Sequence, residues 1–583
     1  MPDAPTAAAN SHAPSAPAES SAPAESSAPA ESSAPAESAG LPGHVDAIII
    51  GAGFSGLYML HRLRDQMGMT ARVIEAAGGV GGTWYWNRYP GARSDSDSYI
   101  YCYSFDRDMW QEWEWSERYP EQHEILAYLE YVAQRFGLYR DIEFSTRVTA
   151  ATFDEAASRW TVTTDTGRQF TAQFVISAVG ALSVSNVPKF PGADTFAGDS
   201  YHTGLWPHEG VDFTGQRVAV IGTGASAVQA IPLIAQQAAD LTVFQRTPNY
   251  ILPARNGPVD PGVKRTRQGD YAGIWARVQS SNFGFELYLL DKGALESSDE
   301  EIERELMERW NQGGFGIWLG SYLDIFFSDE ANAKVRKFLN ERIREKVHDP
   351  ETAELLTPKG YAFGCKRVPL DSGYYETFNL PRVHLVDVKT NPIAEITPAG
   401  LRLTDGTKCE FDAIVYATGF DAMTGPLNKI DIRGRDGRRL RDKWADGPRT
   451  YLGLMSAGYP NLFTITGPQS PSVLSNMPVS IEQHVEFIAR IIGAVRDRGA
   501  QAIEPTSQAE DAWVAHNQEV AQASLFPTAD TWYMGANIPG KPRVFMPYLG
   551  LVGPYRQKCD EIAAAGFEGF EFTGSTDKEG APA

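Results

Sequence analysis

Two short glycine-rich loops, each launched by an apolar run, constrain this chain more than any other feature. Val45-Asp-Ala-Ile-Ile-Ile50 leads straight into Gly51-Ala-Gly53-Phe-Ser55-Gly56-Leu57. An apolar run closed by glycine is what a parallel strand buried on both faces requires. Gly51 permits the tight turn, Gly53 lets backbone approach a pyrophosphate, and Gly56 lets the next helix pack close to the strand. That helix, with Ser55 in its first turn, presents free N–H groups and a partial positive charge to phosphates. The next strand, Ala71-Arg-Val-Ile-Glu75, ends in an acid about 20 residues on, where a ribose hydroxyl needs an acceptor.

The pattern then repeats. Arg217-Val-Ala-Val-Ile221 precedes Gly222-Thr223-Gly224-Ala225-Ser226-Ala227, and Gln229 follows on the same helix. The second unit's next strand, Leu241-Thr-Val-Phe-Gln-Arg246-Thr247, carries Arg246 where the first unit has Glu75. An acid there favours a free 2′-hydroxyl, whereas an arginine suits a 2′-phosphate through a charge-assisted fork. The expectation is FAD in the first unit and NADPH in the second. Phe174-Val-Ile-Ser-Ala-Val-Gly180 and Ala413-Ile-Val-Tyr-Ala-Thr-Gly419-Phe420 are further apolar runs closing on glycine. They resemble the strands by which flavoproteins with two nucleotide sites cross to the nicotinamide domain and back.

Composition agrees with a large enzyme. The chain has 583 residues, 43% of them hydrophobic, enough for a sizeable core and roughly three or four domains. A formal net charge of −21 argues against a nucleic-acid partner, which needs clustered Lys and Arg. Cys102, Cys365, Cys409 and Cys559 form no CxxC pair, so neither a zinc site nor a redox disulfide is expected. They read as reduced thiols of a cytoplasmic protein. No apolar run reaches the ~18 residues of a membrane span. Residues 1–43 are dominated by repeats of Ser, Ala, Pro and Glu, which read as a disordered tail with no secretory signal in it.

The expected fold is α/β, with two Rossmann-like dinucleotide-binding domains and a helical insert in the second. Residues 44–181 and 420–583 form the FAD domain. Residues 182–419 form the NADP domain, with the insert at about 255–355. Within the insert, Ser298-Asp-Glu-Glu301 is a capping box that opens a helix with Ile302, Leu306 and Trp310 on one face. Residues 325–347 read as a second helix, with Ala331, Val335 and Leu339 aligned. The insert's apolar side is placed to cover a substrate cleft.

Four longer strings narrow the reading further. They are Gly81-Gly-Thr83-Trp84-Tyr85-Trp86-Asn-Arg-Tyr-Pro-Gly-Ala-Arg93-Ser-Asp95, Phe196-Ala-Gly198-Asp-Ser-Tyr-His202-Thr-Gly-Leu-Trp206-Pro207, Cys365-Lys366-Arg367, and Thr531-Trp532-Tyr533-Met-Gly-Ala-Asn537. With both glycine loops they resemble the type I flavin-dependent Baeyer–Villiger monooxygenases, over everything except the N-terminal tail. The resemblance implies conversion of aryl, cyclic or bulky ketones to esters or lactones, with NADPH, O2 and a flavin C4a-peroxide, and sulfoxidation as a side activity. It implies Arg367 as the oxygenating residue, and arginine suits that role because it stays charged and donates in a fixed fork. Asp95 would hold Arg367 in place. Thr83, Trp84, Tyr85, Trp86, Tyr101, Val148 and Met477 would line the FAD. Arg93, Arg246, Thr247, Lys366 and Trp532 would face NADP. Phe196, Gly198, His202, Trp206 and Pro207 would couple domain movement to cofactor position, without His202 acting as a base.

The stretch Gln469-Ser-Pro-Ser-Val-Leu-Ser-Asn-Met477 resembles a pocket loop in its longer form, which favours aryl or bulky ketones. A monomer or weak homo-oligomer is expected. Two other readings stay open. One is a related flavin monooxygenase acting on nitrogen or sulfur, although such enzymes usually lack the Trp-Pro ending present here. The other is a non-catalytic flavin-binding protein, which loss of Arg367 or of the second loop would have favoured.

Overall fold

Near-continuous burial from Ala47 to Ile50 marks the first strand as the centre of a parallel sheet. A computed structural model describes residues 43–574. The tail expected over residues 1–43 therefore lies, except for Gly43, outside the described residues. Six strands come from the first third of the chain: β1 (His44–Ile50), β2 (Ala71–Ile74), β3 (Ile142–Glu143), β4 (Val148–Asp154), β5 (Arg159–Thr164) and β6 (Gln169–Ser177). β1 takes parallel partners on both edges, β2 on one and β6 on the other. β4 and β5 alternate buried and exposed residues and add an antiparallel arm to β6, as a half-buried ribbon should. Two strands from the C-terminal third complete the sheet. Asp431–Arg433 pairs with β4, and Leu462–Thr464 pairs with the later half of β6.

The second sheet is wholly parallel. Its order is Val383–Asp387, β9 (Asp240–Gln245), β8 (Arg217–Ile221), Ala413–Tyr416 and β7 (Asp199–His202). The architecture is α/β with two Rossmann-like units, each a glycine loop between a central strand and a helix, Phe54–His61 in one and Ala225–Gln237 in the other.

The chain crosses between the sheets twice, and the two crossings run side by side. Met423 N donates to Ala181 O, Asp421 N to Val184 O and Asn186 N to Gly419 O, each at 2.8 Å. The Thr418 hydroxyl adds a bond to Asn186 O at 2.6 Å.

The insert carries six α-helices, namely Pro261–Gly269, Tyr271–Ser280, Asp299–Gln312, Gly316–Leu319, Asp329–Lys346 and Pro350–Leu356. The capping box is present: Ser298 caps Glu301 N, and Glu301 reaches back to Ser298 N. The helix expected over 325–347 is shorter at its start. Leu323–Phe326 is a single tight turn, and the Ser328 hydroxyl accepts from Ala331 N, so the helix begins at Asp329. Serine's short side chain competes for backbone donors and resets the helix there. Ile302, Leu306, Trp310, Trp318 and Phe338 join the apolar cluster that also contains β1, rather than the one beneath the second sheet.

Candidate functional site

Both glycine loops are built alike. Gly51 has φ +108°, and a Cβ there would stand 2.6 Å from Ala178 O, just past β6. Gly222 has φ +118°, and a Cβ there would stand 2.4 Å from Ala417 O, just past Ala413–Tyr416. Only glycine fits either place. Gly56 is tighter still, its Cβ position 1.8 Å from Gly51 O, so the helix sits directly on the loop. Gly53 packs against Gly82, whereas a Cβ at Gly224 would meet nothing within 4 Å. Neither helix has a side-chain cap at its N-cap residue, Gly53 or Gly224. First-turn N–H groups without such a cap are what a pyrophosphate satisfies, so both loops fit a dinucleotide.

Glu75 lies buried one residue past β2. It accepts from Ala52 N at 2.6 Å and Ala77 N at 2.7 Å, so it also pins the loop. Burial raises its pKa, and these backbone donors oppose the rise. The short helix Thr83–Trp86 follows Gly82. Trp84 is buried and donates to the Tyr101 hydroxyl at 3.2 Å, while Tyr85 and Trp86 meet edge-on at 5.2 Å. Val148 is buried at the head of β4, and Met477 opens the helix Met477–Asp497, which has no side-chain cap either. Ser55 is buried in the first turn after the first loop, and Ala225, Ser226 and Ala227 occupy the same turn of the second.

On the second sheet, Thr223 donates to Thr247 O at 2.8 Å. Arg246, just beyond β9, is exposed and in no ion pair among the described residues. Lys366 donates to Asp530 O at 2.8 Å and lies 4.9 Å above the Tyr361 ring. Burial, then the charges of Arg246 and Lys389, push its ammonium down to about 8. Three cations crowding one place fit a phosphate. Lys389 was not singled out in the sequence; it follows a strand whose Asp387 pairs in register with Gln245, beside Arg246.

Arg93 is differently engaged, bound to Glu121 at 2.6 Å and Glu117 at 3.2 Å. Its carbonyl accepts from Gln229 at 3.1 Å, and Gln229 accepts from the Tyr89 hydroxyl at 2.8 Å. These contacts tie the aromatic string to the second unit's helix.

Arg367 and Asp95, 272 positions apart, meet at 2.7 Å. Arg367 Nη1 also donates to Val473 O at 3.3 Å, within the loop 469–476, which is buried throughout. Burial lowers the guanidinium's pKa, but Asp95, Tyr533 and Tyr101 together outweigh it and the net shift is upward. Phe315 and Trp318 lie 5.1 and 5.6 Å from its Cζ. The buried Tyr533 hydroxyl has no hydrogen-bond partner, and its pKa is raised by burial and lowered by Arg367. Half-buried Trp532 packs on Tyr533, centroids 4.3 Å apart.

His202 closes β7 and is buried beside both crossings. Its Nδ1 accepts from Gly204 N at 2.9 Å, which leaves the proton on Nε2, 3.4 Å from the Thr418 hydroxyl. Burial lowers its pKa, only partly offset by backbone hydrogen bonds to Asn186 and Gly419, so the ring is neutral at pH 7. Trp206 is buried against Tyr201 and Phe213, and His208, one residue past Pro207, packs on Tyr85 at 4.8 Å. Gly198 sits against Asp412 O, and Phe196 packs on the apolar cluster formed by Ile396, Leu401 and Phe411.

Known proteins share this arrangement. An acetone monooxygenase (methyl acetate-forming) of Gordonia sp. (strain TY-5) is 45% identical over 527 residues, 90% of this chain and 98% of that protein. A solved structure of an oxidised steroid monooxygenase bound to NADP is 50% identical, with a TM-score of 0.87, and covers 91% of this chain and 99% of its own. The chain belongs to the Baeyer–Villiger flavin monooxygenases. A phenazine N-monooxygenase of Lysobacter antibioticus is 42% identical over 529 residues, 90% of this chain and 97% of that protein. A family model described as pyridine nucleotide-disulphide oxidoreductase matches residues 48–252. That match spans both glycine loops, and the four cysteines of this Baeyer–Villiger monooxygenase are free thiols. No described helix is long and apolar enough to cross a membrane.

Proposed function

We propose that this protein uses NADPH and O2 to insert one oxygen atom beside the carbonyl of a ketone, giving an ester or lactone, with Arg367 as the oxygenating residue. The observation that carries the reading is the half-buried Arg367–Asp95 pair, set beside two glycine loops of matching construction. When bound, FAD supplies the oxygen-activating centre and NADPH the hydride.

The chain's own residues then have distinct tasks. The loops at Gly51 and Gly222 hold the two pyrophosphates on helix N-termini. Arg246 and Lys366, with Lys389 beside them, hold the 2′-phosphate and select NADPH over NADH. Trp84, Tyr85, Trp86 and Tyr101 wall the flavin side and exclude water. Arg367 stays charged at every working pH and holds its protons too tightly to give one up, so it would stabilise anionic oxygen without quenching it. Asp95 orients its fork. His202 keeps the two crossings in register and moves no proton.

The ketone class is aryl, cyclic or otherwise bulky, on the strength of the buried loop 469–476 that reaches Arg367 through Val473. A reducing, cytoplasmic setting is part of the reading, supported by the four free thiols. Oxidation of nitrogen or sulfur is the second reading, favoured by the phenazine N-monooxygenase relative.

The test is product mass from purified protein given NADPH, 18O-labelled O2 and a panel of ketones, amines and sulfides. Ester or lactone carrying one labelled atom is the expected result. Labelled N-oxide alone moves the protein to the second reading, and H2O2 alone removes both. In the same assay Arg367→Ala should still consume NADPH yet lose ester formation by at least about 100-fold. Ester at the normal rate from that variant removes Arg367 from the role.

A further inference from the structure

We propose that Trp318, with Phe315, is a positioning residue for Arg367, so that the helical insert sets the orientation of the oxygenating guanidinium. The FAD half supplies both Asp95 and the loop carrying Val473, and these take two N–H groups of the fork. Both bonds act on its terminal nitrogens and leave the flat faces of the cation free. The insert supplies the surfaces that meet it: Phe315 at 5.1 Å and Trp318 at 5.6 Å from Cζ, themselves edge-to-face at 5.4 Å. Both rings are deeply buried, with 4% and 1% of their surface exposed. An arginine head is weakly hydrated and stacks well on aromatic rings, most strongly where water is excluded.

A second observation ties Trp318 to the segment bearing Arg367. Gly364, three residues before the arginine, has φ +86°, and a Cβ there would stand 2.7 Å from Trp318 Nε1 and 2.9 Å from its Cδ1. The indole therefore rests on the backbone at Gly364, in a seat only glycine leaves open. Its buried N–H has no hydrogen-bond partner, a cost the site retains along with the ring. Trp318 lies in the short helix Gly316–Leu319, whose neighbour Asp299–Gln312 packs against it. Through this contact the insert's packing reaches the guanidinium.

The inference rests on the oxygenating role of Arg367. Its test compares FAD-loaded Trp318→Phe, Trp318→Leu and Trp318→Met by crystal structure and by ester formed per NADPH consumed. Trp318→Leu and Trp318→Met should lower that ratio about tenfold, with the balance appearing as H2O2, and should show the Arg367 head displaced from Asp95. Trp318→Phe keeps an aromatic face, so it should stay within about threefold and hold the contact at 2.7 Å. An unchanged ratio in Trp318→Leu, with Arg367 still on Asp95, overturns the proposal. So does an equal loss in all three variants with Arg367 unmoved, since that is a packing effect alone. If Trp318→Leu does not fold, Trp318→Met and Trp318→Phe decide. Wild-type protein that makes no ester from any ketone defeats the functional reading instead, and the crystallographic comparison still reports whether Trp318 orients the arginine.

Discussion

Lys366 shows how one side chain carries a pH dependence. Burial and the cations Arg246 and Lys389 disfavour its charge and set it at about 8. A bound 2′-phosphate favours that charge, so binding takes up a proton whenever the pH is above about 8. Affinity for NADP+ is therefore flat below pH 8 and falls above it, by up to about tenfold per pH unit. Calorimetric titration from pH 7 to 9.5 should show this slope in the wild type and a flat line in Lys366→Arg, which stays charged throughout. A slope of equal size in both proteins would assign the proton to another group. Residues of this kind differ in how plainly the sequence announces them. Gly51 and Gly222 were readable because a tight turn after a buried strand admits no other side chain. The Arg367–Asp95 pair was readable only through the family resemblance, because 272 positions separate its members and Asp95 by itself looks like part of a turn. Phe315 and Trp318 escaped notice, and Tyr533 was read only as part of a string, with no role beside Arg367. Buried aromatics are usually core, and nothing local says which ring will face a guanidinium.

Elements were legible where their ends carry chemistry. The capping box at Ser298 predicted a helix start correctly, while the same residue type at Ser328 shortened a helix that periodicity alone had run together with the preceding turn. The helix Met477–Asp497 holds a further consequence. Glu482 is buried in its second turn, accepting from Ser104 N, and burial pushes its carboxyl up to about 7 against the pull of that bond. The unfolded chain would release this proton near pH 4.3. A folded value above the unfolded one gives stability that is complete below about pH 4.3 and is lost as pH rises through 7. Melting temperatures measured from pH 4 to 8 should show the wild type losing ground to Glu482→Gln across that window. Parallel curves would mean that the carboxylate is compensated in the folded protein.

The whole molecule is organised around its two crossings. Sequence order assigns the insert to the nicotinamide half, yet its large aromatics join the core around β1, which linear reading had no means to foresee. His202 sits where β7 ends beside both crossings, neutral and hydrogen-bonded. With its Nδ1 lone pair already taken by Gly204 N–H, the ring is placed to bolt the crossings together. His202→Ala should therefore slow NADPH oxidation and ester formation together, by about tenfold, with no new limb in the pH–rate profile. Stopped-flow reduction and product yield would check it, and loss of one step alone would give the histidine a chemical role.

The paired glycines have a consequence of their own. Ala178 presses its carbonyl onto Gly51 just where the chain leaves the first sheet, and Ala417 does the same to Gly222 where it leaves the second. Each phosphate grip thus shares its footing with the exit toward the other half. The hydrogen-bonded ribbon then joins each departing strand to its counterpart. The two cofactor seats thus stand on one beam of paired backbone, to which the Thr418 hydroxyl adds a side-chain bond.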